Sequence, residues 1–410
     1  MRRPDTELTL TAGLGMADLN IPGWPQTTDG TPLVARCLLL DDGATRLVIV
    51  SLTVIALRRA EALLVREAVA AASDTPADHV MVACTHVHSG PPTFTGDADL
   101  RRATAEAIAA ASARAARQAA DVQPARLGVS TDQLAGVSRV RRVLRHDGSV
   151  ITLRRAWPEY WGWATDPATV GPEEPLDDLL TVLSIENADG EPIGALFHFT
   201  CHPIPDFFGY AAQAVESALP GSICLILNGC QGSVDTPFEV PMQGRTQQEQ
   251  LPILGEALTD RVLELAGQAE TAGNISLGVC SRDVFLPLDT RTPESTPWRD
   301  REMWADAFTA GGFSTEVQCM RIGELALAGI PGEAQVGFGA RIAGASPFPI
   351  TRGVGLANDE CAYLLSEEAR ARGGYEADPE TWGVVTGEGL PRILSAIERC
   401  MNELSTEDRR

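Results

Sequence analysis

Short apolar runs with strand composition alternate with alanine-rich amphipathic segments along the chain, and this alternation constrains the fold more than any other feature. The pattern predicts an α/β protein rather than a helix bundle or a β-sandwich. The predicted strands are residues 45–52, 79–83, 179–185, 193–200, 222–227 and 324–328. The predicted helices are residues 59–72, 99–120, 247–268 and 390–404. No stretch has the composition of an interdomain linker, so we expect one domain over residues 1–410.

The composition excludes several classes of partner. With 410 residues, 44% of them hydrophobic, the chain is long enough to bury a large core. A formal charge of −22 would repel both nucleic acid and an anionic membrane surface. The sequence contains neither a secretory signal core nor a run of membrane-spanning length, so we expect a cytoplasmic protein without stable membrane insertion. Its oligomeric state is left open.

Cysteine and lysine usage limits the chemistry. Nine cysteines without a CxxC pair indicate reduced core thiols rather than a disulfide scaffold or a cysteine-ligated zinc site. The 33 basic residues are all arginine. Without lysine, a Schiff base, a phosphate-loop lysine and a Ser-Lys dyad are excluded. Catalysis must therefore use His, Asp, Glu, Tyr, Ser, Cys, Arg or a metal ion.

Two histidines follow the predicted strand at 79–83. His86 and His88 are two residues apart, so on a continuing strand both rings would face the same side. Neutral imidazoles in that arrangement can meet one metal ion or one reacting group. By themselves, the two residues fit ordinary strand-end histidines equally well.

Four later segments also run apolar and then stop on polar residues beside Gly or Pro. Their polar residues are His202, the pair Ser233 and Asp235, Glu333, and the stretch from Asn358 to Tyr363 that is followed by Tyr375. α/β enzymes assemble their sites from loops beyond strand ends, so the five segments can converge on one crevice. Taken alone, Glu333 is better explained as a carboxylate at a helix start, favoured by the helix dipole.

Together the five segments resemble the catalytic domain of the neutral, non-lysosomal ceramidases and their bacterial relatives. The corresponding text is THVHSGP at 85–91, CHP at 201–203, GSVDTP at 232–237, PGE at 331–333, and the segment 358–363 followed by YE at 375–376. The resemblance implies a layered mixed β-sheet core flanked by helices, with a metal site at the strand ends.

The resemblance also implies roles for individual residues. One zinc ion would be bound by His86, His202, Glu333 and Tyr363, a chemically sensible set of two imidazoles, a carboxylate and a phenolate. His88 and Tyr375 match the residues that steady the oxyanion. Zinc-bound water would attack an amide carbonyl.

The chain departs from the family pattern at several positions. Ser233 stands where the family has the aspartate that is its general base, and Asp235 is the only carboxylate close enough to take that role. Glu360 replaces the first tyrosine of the family's Y-x-x-Y, and Thr53 stands where relatives often have aspartate. We also expect no C-terminal Ig-like domain.

These observations predict a zinc-dependent hydrolase of a small-molecule amide (N-acyl) bond. The same site could form an amide or a lactam in small-metabolite biosynthesis. One alternative is an esterase or lactonase, or Ser233-based acyl transfer with His88 as base. The other is a catalytically altered member that binds a ligand. Four aromatic residues could line an acyl pocket, although packing in a surface loop explains them better: Trp157, Tyr160, Trp161 and Trp163.

Overall fold

The fold is α/β, as predicted, with two mixed β-sheets flanked by helices. The computed structural model describes residues 9–93, 98–153, 167–237, 245–289, 305–379 and 382–406. The strands are β1 (Thr11–Asp18), β2 (Val34–Asp41), β3 (Arg46–Leu52), β4 (Val80–Cys84), β5 (Gln123–Gln133), β6 (Arg139–Val140), β7 (Arg142–Arg145), β8 (Val150–Thr152), β9 (Thr169–Pro172), β10 (Leu179–Asn187), β11 (Pro192–Phe199), β12 (Ile223–Asn228), β13 (Val234–Asp235), β14 (Leu277–Pro287), β15 (Gly312–Ile322), β16 (Leu325–Gly329), β17 (Glu333–Ala334), β18 (Ile350–Val354) and β19 (Tyr363–Leu364). The helices are α1 (Arg59–Ser73), α2 (Ala98–Ala119), α3 (Phe207–Ala218), α4 (Gln247–Gln268), α5 (Ala305–Ala310), α6 (Gly337–Ala345), α7 (Glu367–Ala371) and α8 (Gly389–Thr406).

The larger sheet has eight strands in the order β12-β11-β10-β5-β1-β2-β3-β4, and the second has the order β14-β15-β16-β18. The pairs β3–β4, β11–β12 and β16–β18 are parallel. Parallel strands share a direction, so their carboxyl ends lie at the same edge of a sheet. The segments that carry the predicted site residues begin at these ends.

The two sheets pack face to face, and helices cover their outer faces. On β2, Leu38 and Leu40 enter the core between the sheets, where they join Leu327 of β16. The alternate residues Cys37 and Leu39 face α1 and α2 instead, because successive strand side chains point to opposite faces. Helices α3 and α4 cover the other part of the larger sheet, and α8 covers the second sheet. The layer order is therefore helix, sheet, sheet, helix.

The larger sheet curves so that strands from its two ends approach each other. The Ser51 hydroxyl on β3 donates to the carbonyl of Ile226 on β12 at 2.7 Å. Asn228, the last residue of β12, donates its side-chain amide to the carbonyl of Thr85, just beyond β4, at 3.2 Å. The loops after β4 and β12 therefore start from neighbouring points, although these strands are first and last in the sheet order.

The predicted strands and helices are confirmed, each within two residues at either end. Residues 154–166, the segment of Trp157, Tyr160, Trp161 and Trp163 for which a surface loop is one interpretation, lie outside the described residues, and the following residues 169–172 form β9. All nine cysteines are buried free thiols, as expected. None of the described helices is long and apolar enough to span a membrane.

Strand β1 was not predicted because two glycines, Gly13 and Gly15, weaken its strand composition. Both glycines lie against helix α2. A Cβ atom at Gly13 would overlap the carbonyl oxygen of Ala119, and one at Gly15 would overlap that of Ala115. The missing side chains let the helix approach the sheet backbone directly.

Substituting Gly15 tests this close approach. We expect Gly15→Ala to lower the free energy of unfolding by roughly 1–3 kcal/mol, because the methyl group forces α2 away from the sheet. Urea denaturation followed by circular dichroism measures the change.

Gly267 near the end of α4 provides the matched control, because a Cβ atom there meets nothing within 4 Å. We expect Gly267→Ala to stabilise the protein by about 0.5 kcal/mol, since alanine restricts the unfolded chain. Equal effects at the two sites would contradict the packing described for β1 and α2.

Candidate metal centre

A cavity of about 380 Å³ opens at the carboxyl ends of the strands. Seven of the eight predicted site residues line it: His86, His88, His202, Asp235, Glu333, Tyr363 and Tyr375. Ser233 is not among the described residues that line the cavity. Segments spread over the chain therefore converge, as expected from their positions at strand ends.

The rings of His86 and His202 are oriented by backbone carbonyls. Nδ1 of His86 donates to the carbonyl of Ile55 at 2.9 Å, and Nδ1 of His202 donates to that of Val234 at 2.7 Å. Each bond places the ring proton on Nδ1 and leaves the Nε2 lone pair directed away from the backbone. Metal-binding histidines are commonly held in this way.

Glu333 and Tyr363 are brought together by a short parallel strand pair. They are direct partners in the register of β17 and β19. Burial alone would raise the pKa of the Glu333 carboxyl, but the adjacent rings of His86 and His202 hold it well below its usual range. Burial, and then the charge of Glu333, raise the pKa of the Tyr363 phenol well above its ordinary value.

The possible ligand atoms of Glu333, His86 and His202 lie close together. Oε2 of Glu333 lies 3.0 Å from Nε2 of His202 and 3.3 Å from Nε2 of His86. Glu333 Oε2 and His202 Nε2 are both buried and have no hydrogen-bond partner among the described residues. Buried polar atoms are rarely left unpaired. Two imidazole nitrogens and a carboxylate oxygen aimed at one point therefore fit a divalent metal ion.

His88 lies beside this cluster. Its Nε2 is 3.2 Å from Nε2 of His86, and the possible ligand atoms of His86, His88 and His202 all lie within 4.8 Å of one another. Its pKa is held well below the ordinary value, first by burial within the cavity and then by the neighbouring rings. His88 is therefore one of three histidines whose ring nitrogens could bind the same ion.

Arg141 lines the cavity and is held from behind by the buried Glu376, a network that sequence analysis missed. Arg141 donates from Nε to Glu376 at 2.7 Å, and from Nη2 to the carbonyl of Gly232 and the hydroxyl of Tyr363, both at 2.9 Å. Arg142 and the Thr152 hydroxyl donate to the other oxygen of Glu376, at 2.9 and 2.7 Å. The arginine-rich stretch from 139 to 145 is typical of an exposed strand, so nothing in it indicated a buried ion-pair network.

The loop after β12 separates the two candidates for the general base. Asp235 lines the cavity, and its Oδ1 accepts a hydrogen bond from the backbone N–H of Thr236 at 2.8 Å. The Ser233 hydroxyl instead accepts a hydrogen bond from the backbone N–H of Val336 at 2.8 Å. A Cβ atom at Gly232 would overlap the carbonyl oxygen of Glu333, so the glycine allows this loop to pack directly on β17.

Glu360 is a further acidic residue of the cavity. Its side chain is buried, and burial followed by the charge of Glu333 raises the pKa of its carboxyl well above the ordinary value. Sequence analysis identified Glu360 only as a departure from the family pattern. Its position inside the cavity could not be inferred without the path of the 356–363 segment.

Backbone in the left-handed region is concentrated around the site. His86 has φ +71°, Asn358 +64° and Ala362 +67°. Such values are uncommon for residues other than glycine and are held by surrounding contacts. Asn358 supplies such contacts, because its backbone N–H donates to the carbonyl of Val82 at 2.8 Å and its Oδ1 accepts from the Val82 N–H at 2.9 Å. The segment that ends at Tyr363 is thereby attached to β4.

The predicted aromatic lining of an acyl pocket lies outside the described residues: Trp157, Tyr160, Trp161 and Trp163. Among the described residues, the aromatic side chains of the cavity wall outside the histidines are Tyr363, Tyr375 and Trp382.

Comparisons with known proteins agree on one group of enzymes. No family model matches the chain. The curated neutral ceramidase of Pseudomonas aeruginosa is 30% identical over 157 residues, which span 34% of this chain and only 21% of that relative. The crystal structure of neutral ceramidase from Pseudomonas aeruginosa superimposes with a TM-score of 0.72 at 21% identity, covering 98% of this chain and 75% of that one. A ceramidase complexed with C2 gives a TM-score of 0.73 at 20% identity, covering 98% and 76%. The resemblance inferred from the motifs is confirmed, and the chain has the ceramidase fold.

The buried network at Glu376 gives a stability prediction. We expect Glu376→Ala to destabilise the protein by about 3–5 kcal/mol, because Arg141 and Arg142 lose the carboxylate that compensates their buried charges. Thermal and urea unfolding measure the change. Glu368→Ala is the control: Glu368 is an exposed partner of Arg372, and its loss is expected to have little effect. A small change for Glu376→Ala would contradict the role of the network.

Asp206 gives a prediction about pH. It caps helix α3 four residues after His202, accepting hydrogen bonds from the Gly209 N–H at 3.0 Å and the Thr31 hydroxyl at 2.5 Å. Burial raises the pKa of its carboxyl to about 6. Between the unfolded and folded pKa values the native state binds more protons than the unfolded chain, so the contribution of Asp206 to stability falls as pH rises through about 6.

Asp206→Asn keeps the capping oxygen but cannot ionise. Relative to wild type, we expect the variant to gain about 1 kcal/mol per pH unit between pH 5 and 6, and nothing further above pH 7. Urea unfolding of both proteins across this pH range measures the difference. A difference independent of pH would show that Asp206 titrates normally in the folded state.

Proposed function

We propose that this protein, which has the fold of neutral ceramidases, is a zinc-dependent amidohydrolase that cleaves the N-acyl amide bond of a small molecule. The observation that carries the proposal is the convergence of His86, His202 and Glu333 at one point of the cavity, with buried atoms left unpaired. Ceramide itself is an N-acyl amide, so the fold and the donor set support the same class of reaction.

The metal would be held by His86, His202, Glu333 and Tyr363. This set supplies nitrogen and oxygen donors suited to zinc, and the Nδ1–carbonyl bonds of both histidines fix the rings in the required tautomer. When bound, zinc supplies Lewis acidity for an amide carbonyl and lowers the pKa of water. The remaining steps depend on side chains of this chain.

His88, Arg141 and Tyr375 form the part of the wall that would hold the developing negative charge of the carbonyl oxygen. Arg141 is fixed by Glu376 and by the Gly232 carbonyl, so its guanidinium needs no reorganisation when charge develops. Tyr375 packs edge-to-face against Tyr363, with ring centroids 5.8 Å apart. Donors fixed in this way stabilise the transition state more than the ground state.

Asp235 is the residue we propose as proton carrier between the attacking water and the leaving amine. It is the carboxylate that the loop after β12 presents to the cavity. The hydrogen bond from Thr236 holds one of its oxygens in place. Ser233 is less suited to this role, or to acyl transfer, because it is not among the described residues that line the cavity and its hydroxyl already accepts the Val336 N–H.

We predict that the substrate is a small amide and that the protein is cytoplasmic. Formation of an amide or lactam uses the same site in reverse and is part of the proposal. Esters of the same acyl groups, offered beside the amides, distinguish the amidase from an esterase.

Removing a proposed ligand tests the metal requirement. We expect the purified protein to contain one zinc ion per chain and Glu333→Ala to contain none, because two imidazoles and a phenol retain metal poorly without the carboxylate. Metal content is measured by plasma mass spectrometry. Hydrolysis of short-chain N-acyl amides is expected to stop after treatment with 1,10-phenanthroline and to return when zinc is restored.

Two variants make the result specific. Glu368→Gln removes an exposed carboxylate away from the cavity and is expected to keep both metal and activity. Ser233→Ala distinguishes the serine alternative. If amide hydrolysis survives metal removal but is lost in Ser233→Ala, the proposed mechanism is wrong.

A further inference from the structure

Three cysteine thiols meet where helix α8 covers the second sheet. Cys280 lies on β14, the outer strand of this sheet, and Cys319 is its direct partner in the register of β15. Cys400 lies on the buried face of α8. All three belong to one hydrophobic cluster, and Cys280 is the most exposed of them at 5%. The thiols are separate from the candidate metal centre, because these cysteines are not among the described residues that line its cavity.

Two of these thiols are within reach of a covalent bond. Sγ of Cys280 lies 2.8 Å from Sγ of Cys400, and the Cys280 thiol donates a hydrogen bond to it. Cys400 also forms a hydrogen bond with the thiol of Cys319. A disulfide holds its sulfur atoms about 2.05 Å apart. Side-chain movement of less than about 1 Å would therefore join Cys280 and Cys400.

The separation of the two sulfurs favours a disulfide over a metal site. Zinc–thiolate bonds of about 2.3 Å in a tetrahedral site place two sulfurs roughly 3.8 Å apart. The separation of 2.8 Å between Cys280 and Cys400 is clearly shorter. Structural zinc sites also use four ligands, whereas this cluster supplies three thiols. Bond formation between the sulfurs themselves is therefore the chemistry that the arrangement suits.

The folded protein protects both thiols from reaction. The hydrogen bond to Cys400, followed by burial, raises the pKa of the Cys280 thiol well above its ordinary value. The hydrogen bond from Cys280 lowers the pKa of Cys400, but the bond with Cys319 and burial raise it more, to about 12. Thiolates are the reactive species in disulfide exchange. Cys400 lies near the C-terminal end of α8, so local opening of this end would expose the pair.

We propose that Cys280 and Cys400 form a reversible disulfide that ties α8 to β14 when the protein meets a small-molecule disulfide such as oxidised glutathione. After local opening, the Cys400 thiolate attacks one sulfur of the small disulfide and releases one thiolate. The Cys280 thiolate then attacks the Cys400 sulfur of the mixed disulfide and releases the second. Two electrons pass to the small disulfide, and the two thiol protons end on the released thiols. Transient, redox-sensing disulfides of this kind are the ones usual in reducing compartments.

The disulfide would stabilise the folded protein. It joins residues that are 120 positions apart in the chain, and closing a loop of that length restricts the unfolded chain. Because the sulfurs are already in contact, the folded state needs little rearrangement. We expect the oxidised protein to unfold roughly 3–8 °C above the reduced protein.

Equilibration in glutathione redox buffers tests the proposal. Incubation in urea below the unfolding transition lets α8 open without global unfolding. We expect oxidised buffer to remove two of the nine free thiols, counted with a chromogenic thiol reagent after denaturation. Peptide mass spectrometry is expected to find Cys280 linked to Cys400, and reducing buffer is expected to restore both thiols.

Single variants make the result specific. Cys280→Ala is expected to abolish both the linked peptide and the rise in unfolding temperature, and Cys400→Ala is the second variant in case Cys280→Ala does not fold. Cys37→Ala is the matched control, because Cys37 is buried in the larger sheet with its Sγ 3.8 Å from the carbonyl oxygen of Ser112. This control is expected to keep the linked peptide and the rise.

Three outcomes would overturn the proposal. Nine free thiols in fully oxidised buffer would show that the pair does not react. A link from Cys319 to either partner, or glutathione retained on Cys400, would show that the bond between Cys280 and Cys400 is wrongly assigned. A linked peptide without a rise in unfolding temperature would show that the bond does not tie α8 to the sheet.

Discussion

Glu376 holds a buried negative charge on which the geometry of the cavity depends. Arg141 binds one of its oxygens, and Arg142 and Thr152 bind the other. Arg141, held by Glu376, also donates hydrogen bonds to the Gly232 carbonyl and the Tyr363 hydroxyl. These hydrogen bonds connect strands β7 and β8, the loop after β12 and strand β19 through one carboxylate. Because low dielectric strengthens such bonds and makes their loss costly, the wall they form is rigid.

Glu376 and Glu333 differ in how their charge is compensated. Glu376 has arginine partners at hydrogen-bond distance. Glu333 faces imidazole rings instead. Buried anions that carry their own cations serve the architecture, whereas anions without them indicate where a cation from outside would be stabilised. Arg141 also donates to the hydroxyl of Tyr363, so Tyr363, a proposed metal ligand, contacts the structural network directly.

Sequence patterns predicted those parts of the structure that depend on local signals. The continuous apolar runs of β3, β4, β11 and β12 and the amphipathic periodicity of α1 were sufficient to locate these elements. The residues that gather at the cavity were predicted from their positions after strands and from the resemblance. Strand β1 was missed because its glycines are explained only by contact with α2. Arg141 and the cavity position of Glu360 were missed because burial of a charged side chain depends on partners far away in the chain.

The proposed ligands are spread from residue 86 to residue 363, and the carbonyls that orient the rings belong to Ile55 and Val234. On the ribosome, the two histidines are made long before the carboxylate and the tyrosine that complete the site. A nascent chain therefore offers no full set of ligands until most of the domain has emerged and folded. In zinc fingers, by contrast, closely spaced ligands let the ion direct folding. Here metal capture would be a late event in biogenesis, and an ion bound at the site would mark a finished chain.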